Sequence, residues 1–517
     1  MKVILAGHTV DKERLEEFRA RAREIRGTLQ DTKSNAPNDV SSQISSFLYD
    51  LAESQSLTPE TLSAAYARIS RDPRPVDELR RIAAIEVGRA RKSNETIIFG
   101  MGHASVAEHA VFNLDIIDIS RLATEEIQRA RLASFTEKSQ RYIKLTGDYL
   151  VPDETKTAGF GEKFDATVKS LFETYNRIYY GLLPMIVKNH PDLAEDVNGM
   201  TILDGWAKED ARFILPLCAY TQMGMTANAR TLEMTIRRLA AHPLHELRSL
   251  SRHLFDVVSS VAPSVIRYTT PTKFDLDTPE LIKKSAPSAL GADAREGRNP
   301  GVTLIDYPED GDDRLAAALL FSFGDRTFGE IKKYVSSLSP DEKEKIISSS
   351  LLAMEAYDRA LREFELVQFT FEAIVSASCF AQLKRHRMAT ILTQKYDLTL
   401  GVEIPKQVED AGLIGLFEEG ILLAEDFHAT LMENAPASAP YILTNAHRRR
   451  VIFCCNLREL YHISRLRMDG AAQWEIRSIA TSMVNLAQKV LPLSTALACG
   501  KDSFAEHHKR LIEKFET

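Results

Sequence analysis

Cysteine is scarce and oddly placed. The 517-residue chain holds five (Cys218, Cys379, Cys454, Cys455, Cys499), an odd number with no C-x-x-C pair, which argues against a disulfide framework and against a structural zinc site. They read as reduced, buried thiols, a usage that suits a cytoplasmic protein. A basic excess is also missing. The 65 Lys and Arg face 72 Asp and Glu for a formal charge of −7, whereas a general nucleic-acid binder carries a surplus of cations. Local clusters such as Arg385–Arg387 and "AHRRR" (Ala446–Arg450) therefore fit a small anionic ligand better than a polynucleotide. No run of about 18 apolar residues is present to span a membrane. The opening "MKVILAGHTVD" has one lysine and a short apolar run, so it reads as a first strand and not as a secretory signal. What remains is an ordinary soluble composition, 44% hydrophobic and 26% charged, with length for two large domains or roughly three ordinary ones.

What the chain does have is internal repetition. Arg129-x-Arg131 recurs 256 residues later as Arg385-x-Arg387, and "FNLDIIDIS", ending at Ser120, recurs at the same offset as "QFTFEAIVS", ending at Ser376. "NAR" (Asn228–Arg230) returns as "NLR" (Asn456–Arg458), and "HELRSL" (His245–Leu250) as "WEIRSI" (Trp474–Ile479). Both of the last segments reach a proline 17 residues after their glutamate, Pro263 and Pro492. Four features in one order indicate a tandem duplication, with extra residues in the first copy between its arginine fork and "NAR". The join falls near Thr269–Gly301, where Pro, Gly, Ala and charge replace apolar periodicity. The reading is a first domain over residues 1–275, a linker over 276–300 and a second domain over 301–517.

Helix signals dominate. Ser339-Pro-Asp-Glu342 is a capping box with proline at the first helical position. In "LHELRSLSRHLFDVVSSV", Leu244, Leu247, Leu250, Leu254, Val257, Val258 and Val261 recur at helical spacing. The "FNLDIIDIS" segments alternate as strands, so each arginine fork is expected near a strand-to-helix junction, where side chains reach a shared cleft.

The chemistry-bearing stretches are polar and basic. Arg129 and Arg131 precede Ser134, Glu137, Ser139, Arg141 and Tyr142. Arginine offers a planar fork to phosphate, and serine hydroxyls with turn amides complete an anion cradle. Glu137 would be repelled by a phosphate, so it suits a sugar hydroxyl or a ring N–H. The same stretch also reads as an exposed helix face of i,i+4 pairs. In "GHASVAEH", His103, Ser105, Glu108 and His109 stand together, but histidines six apart suit neither one helical face nor a zinc spacing. A hydrogen-bonding cluster fits better than a metal. Cys454 and Cys455 lie in an apolar "VIFCC" run, where buried packing outweighs nucleophilic use.

"GHASVAEH…ISRLATEEIQRARLASFTEKSQRY" resembles the flavin-dependent thymidylate synthases, whose pattern is H-x-S-x-x-E-H followed by R-H-R-x-x-S-F-N-E-x-S-x-R-Y. "ARFILP", "NAR" and "NLRELYHISRLRMDGAAQWEIR" resemble the later blocks of that family, so the two copies together cover most of the chain. The resemblance implies an α+β fold, helix-rich, with two tandem copies forming a pseudo-dimer. It implies conversion of dUMP to dTMP with methylene-tetrahydrofolate, FAD as cofactor and NADPH as reductant. It also implies self-association, because the family is a homotetramer whose sites borrow residues from several subunits. No nucleic-acid or membrane partner is expected.

Carried over position by position, the copies have lost opposite halves. The first keeps the nucleotide loop: Glu137, Ser139, Gln140 and Arg141, with Arg212 matching a further dUMP-binding arginine. His103, Ser105, Asn228 and Arg230 match flavin-side positions, but Ala130 replaces the fork's histidine and Glu126 stands where glutamine is common. The second keeps the flavin half: Gln382, Arg385, His386, Arg387, Asn456, Arg458 and His462, and Arg467 matches the arginine that polarises uracil. Gln382 and Arg385 also match nucleotide-side positions contributed by a partner subunit. Its nucleotide loop is gone, with Thr393, Lys395 and Asp397 in place of Glu, Ser and Arg, and Pro440 in place of the later arginine. Of its H-x-S-x-x-E-H only Glu365 survives. The expectation is one composite site that pairs the first copy's loop with the second copy's fork. The alternative is a flavoprotein paralogue that acts on another pyrimidine nucleotide or does not methylate.

Overall fold

The computed structural model describes residues 1–31, 37–52, 56–285 and 301–516. They divide into two compact units. One comprises Met1–Lys138, Asp148–Thr157 and Cys218–Ser288; the other comprises Ser139–Gly147, Ala158–Leu217 and Ala289–Thr517. Helices and small antiparallel sheets alternate in both, which is an α+β architecture.

The first unit is built on strands β1 (Lys2–His8), β2 (Val111–Ser120), β3 (Ala133–Glu137) and β4 (Tyr220–Asn228), all antiparallel in the order β1-β2-β4-β3. Alternation sets the faces: Phe112, Leu114 and Ile116 are buried while Asn113 and Asp115 are exposed, as expected of a sheet packed on one side. Near its end β2 bulges. Asp118 takes φ 56° and the register shifts between Ile117 and Ile119, which turns Ile119 into the core. The helix His245–Ser259 buries Leu247, Leu250, Leu254 and Val258, the stripe that its spacing predicts. In its first turn the buried Glu246 accepts hydrogen bonds from the Ser120 N–H (2.8 Å) and Oγ (2.6 Å).

The second unit repeats this plan. Strands β5 (Gly301–Asp306), β6 (Gln368–Ser376), β7 (Thr390–Thr393) and β8 (Arg448–Asn456) run antiparallel in the order β5-β6-β8-β7. Glu475, in the first turn of helix Trp474–Val490, accepts from Ser376 N–H (2.9 Å) and Oγ (2.5 Å), matching Glu246 and Ser120. The capping box at Ser339 is present, but its helix stops at Ser349. The fork Arg385–Arg387 lies in the turn between the short helix Ala377–Leu383 and β7. It is therefore at a helix-to-strand junction and not the expected strand-to-helix one, because the helix after β6 lasts only seven residues.

The extra residues of the first copy form helices. That copy reaches "ARFILP" through the long helices Gly161–Asn189 and Val197–Ala211, where the second copy has one long helix, Ile414–Asn434, after the short Lys406–Asp410. These belong to the second unit, where Gly420 lets Ile414–Asn434 come close; a Cβ there would meet Ile214 Cδ1 at 2.9 Å. Beyond them two segments zip together. Leu217 N–H donates to Leu443 O (2.8 Å), Asn445 N–H donates to Leu215 O (2.9 Å), and Pro216 bridges Thr444. Leu215, Pro216 and Leu217 occupy the positions that Leu443, Thr444 and Asn445 hold in the repeat. The pairing is therefore isologous, each bond having its mirror, as across a two-fold axis. The stretch read as the linker begins inside the helix Lys273–Ser285, which buries none of its residues; residues 286–300 lie outside the described residues.

Candidate functional site

In the second unit, the segment from Ser139 to Gly147 meets the end of helix Val197–Ala211. Ser139 Oγ accepts from the Arg141 N–H (3.1 Å), closing a tight turn. Arg141 pairs with Glu209 and donates to Ala471 O (3.1 Å). Gln140 is buried, and its Oε1 accepts from Asn445 Nδ2 (3.0 Å), which also donates to Arg212 O (2.9 Å). Arg212, 5% exposed, donates through Nε to Glu209 O (3.1 Å), while its Nη2 has no partner. Gln140 Nε2, Asn445 Oδ1, Gln382 Nε2 and Ser378 Oγ are likewise buried and unpartnered. Folded proteins leave few such atoms, and a concentration of them marks where a polar ligand belongs.

The electrostatics agree. Burial, reinforced by Arg141, pushes Arg212 down to about 10 despite the opposing Glu209. Burial, then Arg385 and Arg141, pushes Arg467 down to about 10. Arg385, at the rim, is lowered by surrounding protein and by Arg141. Arg141 is thus the common neighbour of three guanidinium groups, and among the described residues the carboxylate that forms an ion pair with the group is Glu209. Arg385 and Arg467 have no carboxylate partner among the described residues. Arginines held together with too few carboxylates form an anion site.

Behind them lies a chain of three. Glu459 Oε1 is 3.1 Å from His386 Nδ1, and Arg467 Nε donates to His386 Nε2 (3.0 Å). Because Nε2 accepts, Nδ1 carries the proton and donates to Glu459. His386 is 3% exposed, and burial lowers its pKa in spite of Glu459. It is therefore a neutral imidazole with both nitrogens engaged. His462 is exposed, its ring edge-on to His386 at 5.9 Å, and Arg387 is half-buried. Asp210, buried beneath the cluster, accepts from the Trp474 indole (2.9 Å), and burial raises its pKa to about 7; Trp474 stacks on Phe213 at 5.5 Å.

In the first unit, Glu137 is committed to Arg121 and to Gln128 Nε2 (2.9 Å). Arg230 pairs with Glu108 (2.5 Å), as Arg458 pairs with Glu365 (2.7 Å) in the second unit. This shared pair accounts for Glu365 outlasting the rest of its motif. Asn228 and Asn456 both serve as N-caps, accepting from Thr231 N–H (2.8 Å) and Glu459 N–H (2.9 Å). His103 and Ser105 are exposed, and His109 meets Tyr66 edge-on. No group of His, Cys, Asp or Glu among the described residues could hold a metal, and no helix there is long and apolar enough to cross a membrane. Sequence reasoning missed Asn445, Glu209, Asp210 and Glu459. The signal for Asn445 was available: it stands where the first copy has the buried Leu217.

The arrangement groups arginines with few carboxylates, the chemistry that a small anionic ligand requires, on an α+β scaffold. The family described as thymidylate synthase complementing protein matches residues 53–264 and again 303–493, and the chain belongs to that family. A UPF0159 protein of Chlamydia pneumoniae is 25% identical over 426 residues, 79% of this chain and 80% of its own length. A UPF0159 protein of Thermoplasma acidophilum is 25% identical over 438 residues, 77% of this chain and 86% of its own. A flavin-dependent thymidylate synthase of Geobacter sulfurreducens is 31% identical over 215 residues, 41% of this chain and 83% of its own. The full-length likeness is thus to the UPF0159 proteins, while the single-length synthase matches less than half of the chain.

Proposed function

We propose that the chain is an FAD-dependent thymidylate synthase that converts dUMP to dTMP with methylene-tetrahydrofolate and NADPH, at one composite site built from both copies. The observation that carries this reading is the grouping of Arg141 and Arg212, from the first copy, with Arg385 and Arg467, from the second. Arg141 and Arg212 neutralise the nucleotide phosphate, Gln140 and Gln382 offer their unpartnered Nε2 donors to the sugar and base, and Arg467 faces the uracil ring. There it stabilises negative charge that builds on the base, and burial strengthens that effect by excluding water. Cys379, the thiol that acts on Arg467, is fully buried, and burial pushes it well above its ordinary value; no thiolate nucleophile is needed.

The residues fit a flavin nucleotide at the rim. Arg385 and Arg387 supply charge for a diphosphate beside the exposed His462, with Arg458 on the same helix as His462. FAD, when bound, supplies the hydride that this chain's own side chains cannot. Family likeness further supports association of two chains in place of the four subunits of the single-length enzymes.

Purified protein should be yellow, and dUMP should perturb the flavin spectrum; a protein that takes up no FAD sinks the proposal. Arg141→Ala should raise the dUMP dissociation constant about tenfold or more, since it removes a charge-assisted contact, and Arg387→Ala should weaken FAD with little change in dUMP. One observation favours a second reading, action on another pyrimidine nucleotide or binding without methylation: Glu137, expected to meet the nucleotide, is already engaged by Arg121 and Gln128. Complementation of a thymidine auxotroph separates the two.

A further inference from the structure

We infer that Glu459 and His386 are positioning residues which aim Arg467 at the pyrimidine base, an inference that rests on the thymidylate synthase reading. The geometry gives each a task. Glu459 accepts the Nδ1 proton, so the Nε2 lone pair must face Arg467, and the Arg467 Nε–H lands on it. With Nε anchored, the guanidinium cannot rotate, and its two terminal nitrogens are left for ligand; the described residues give them no other hydrogen bond. Without the carboxylate the imidazole is free to adopt the other tautomer. Its Nε2–H would then oppose the Nε–H of Arg467, and the arginine would swing away.

The first copy supplies an independent observation. The positions that correspond to Glu459 and His386 hold Thr231 and Ala130, and counted from the shared asparagine cap the position of Arg467 holds Leu239, with Arg238 one residue before it; Thr231, Ala130 and Leu239 are buried in the first unit. The neighbouring devices of the same elements persist there: the Asn228 cap, the Arg230–Glu108 pair and the Ser120–Glu246 bonds. The three members are therefore absent together while the scaffold around them is kept, as expected of parts that serve one task. A role in fold stability alone would not tie their fates, since the first unit builds the same sheet without them.

The test separates base from phosphate. Binding of dUMP and of 2-deoxyribose 5-phosphate, which lacks the base, is measured by calorimetry, and the dissociation constant of the sugar phosphate divided by that of dUMP isolates the contribution of the base. Glu459→Thr and His386→Ala install the residues that the first copy carries at the same places. Each should lower the ratio about tenfold, the loss of one charge-assisted hydrogen bond, with 2-deoxyribose 5-phosphate bound as by the unaltered chain. Arg467→Leu should lower it at least as far. Glu459→Gln, whose amide oxygen still accepts the Nδ1 proton, should restore it. A ratio unchanged in either first-copy variant while Arg467→Leu collapses it overturns the positioning role and leaves the functional reading standing. A native chain that binds neither compound overturns the reading itself.

Discussion

Asp210 has the least comfortable environment in the cluster. It is a buried carboxylate whose partner is an indole N–H, and the neighbouring carboxylate Glu209 acts on it against Arg212. Burial raises its pKa to about 7 from an unfolded value near 4. The folded state therefore holds its proton more tightly than the unfolded one. The stability this provides is complete below about pH 4 and is lost as pH rises towards 7. Asp210→Asn keeps an oxygen for Trp474 and cannot ionise. Its apparent melting temperature should match the unaltered chain near pH 4.5 and exceed it by about 3 °C at pH 8. A melting-temperature difference that is the same at both pH values would contradict this account. At this scale the sequence was legible where a motif was local. Ser139, Gln140 and Arg141 were readable because they are contiguous, and Arg467 because its helix carries a recognisable block. Glu209 and Glu459 were not, since each acts through a partner brought near by folding, and spacing along the chain records no such distance.

Among elements, the strand-end serine and helix-start glutamate recur as a joint. Ser120 with Glu246 and Ser376 with Glu475 each tie a strand's last N–H and hydroxyl to a buried carboxylate at a helix N-terminus. The positive end of the helix and two donors keep such a charge tolerable out of water, although burial still raises Glu475 to about 7. Glu246→Ala or Glu475→Ala would strand a buried N–H and should cost about 2–3 kcal/mol, measured as a shift in the denaturation midpoint with unchanged slope. Ser120→Ala and Ser376→Ala keep the strand's own N–H satisfied but remove the cap from the Ala123 and Cys379 N–H groups, and should cost about 2 kcal/mol. The strands and their one-sided packing followed directly from alternation, and the helix at His245–Ser259 from its apolar spacing. The short helix after β6 was hidden, because "ASCFAQL" is buried throughout and a seven-residue run with no exposed face has no period to read. The fork was misplaced for that reason.

For the whole chain, the two sheets share one strand order, and a family description matches twice. The compact units nevertheless cut across the sequence copies, because residues 158–217 of the first copy pack with the second. No periodicity announces such an exchange, since it depends on which apolar faces find each other. On the composite-site reading, each chain holds one complete set of nucleotide-binding residues: Thr393, Lys395 and Asp397 cannot stand for the loop, nor Ala130 and Thr231 for His386 and Glu459 behind the polarising arginine. Calorimetric titration with dUMP should therefore saturate at one nucleotide per chain, and two equivalent sites would refute the asymmetry.

The mirrored bonds about Pro216 and Thr444 have a consequence for inheritance. In an assembly of identical subunits every substitution is copied to both sides of the axis, so a damaged loop is damaged in every site. In a fused chain the two sides are spelled by different codons. A lesion in one copy strikes once, and selection can let one arm lapse provided the other is guarded. On the composite-site reading such drift runs one way: with Ala130 on one side and Asp397 on the other, neither half can be discarded or exchanged for a second copy of the other.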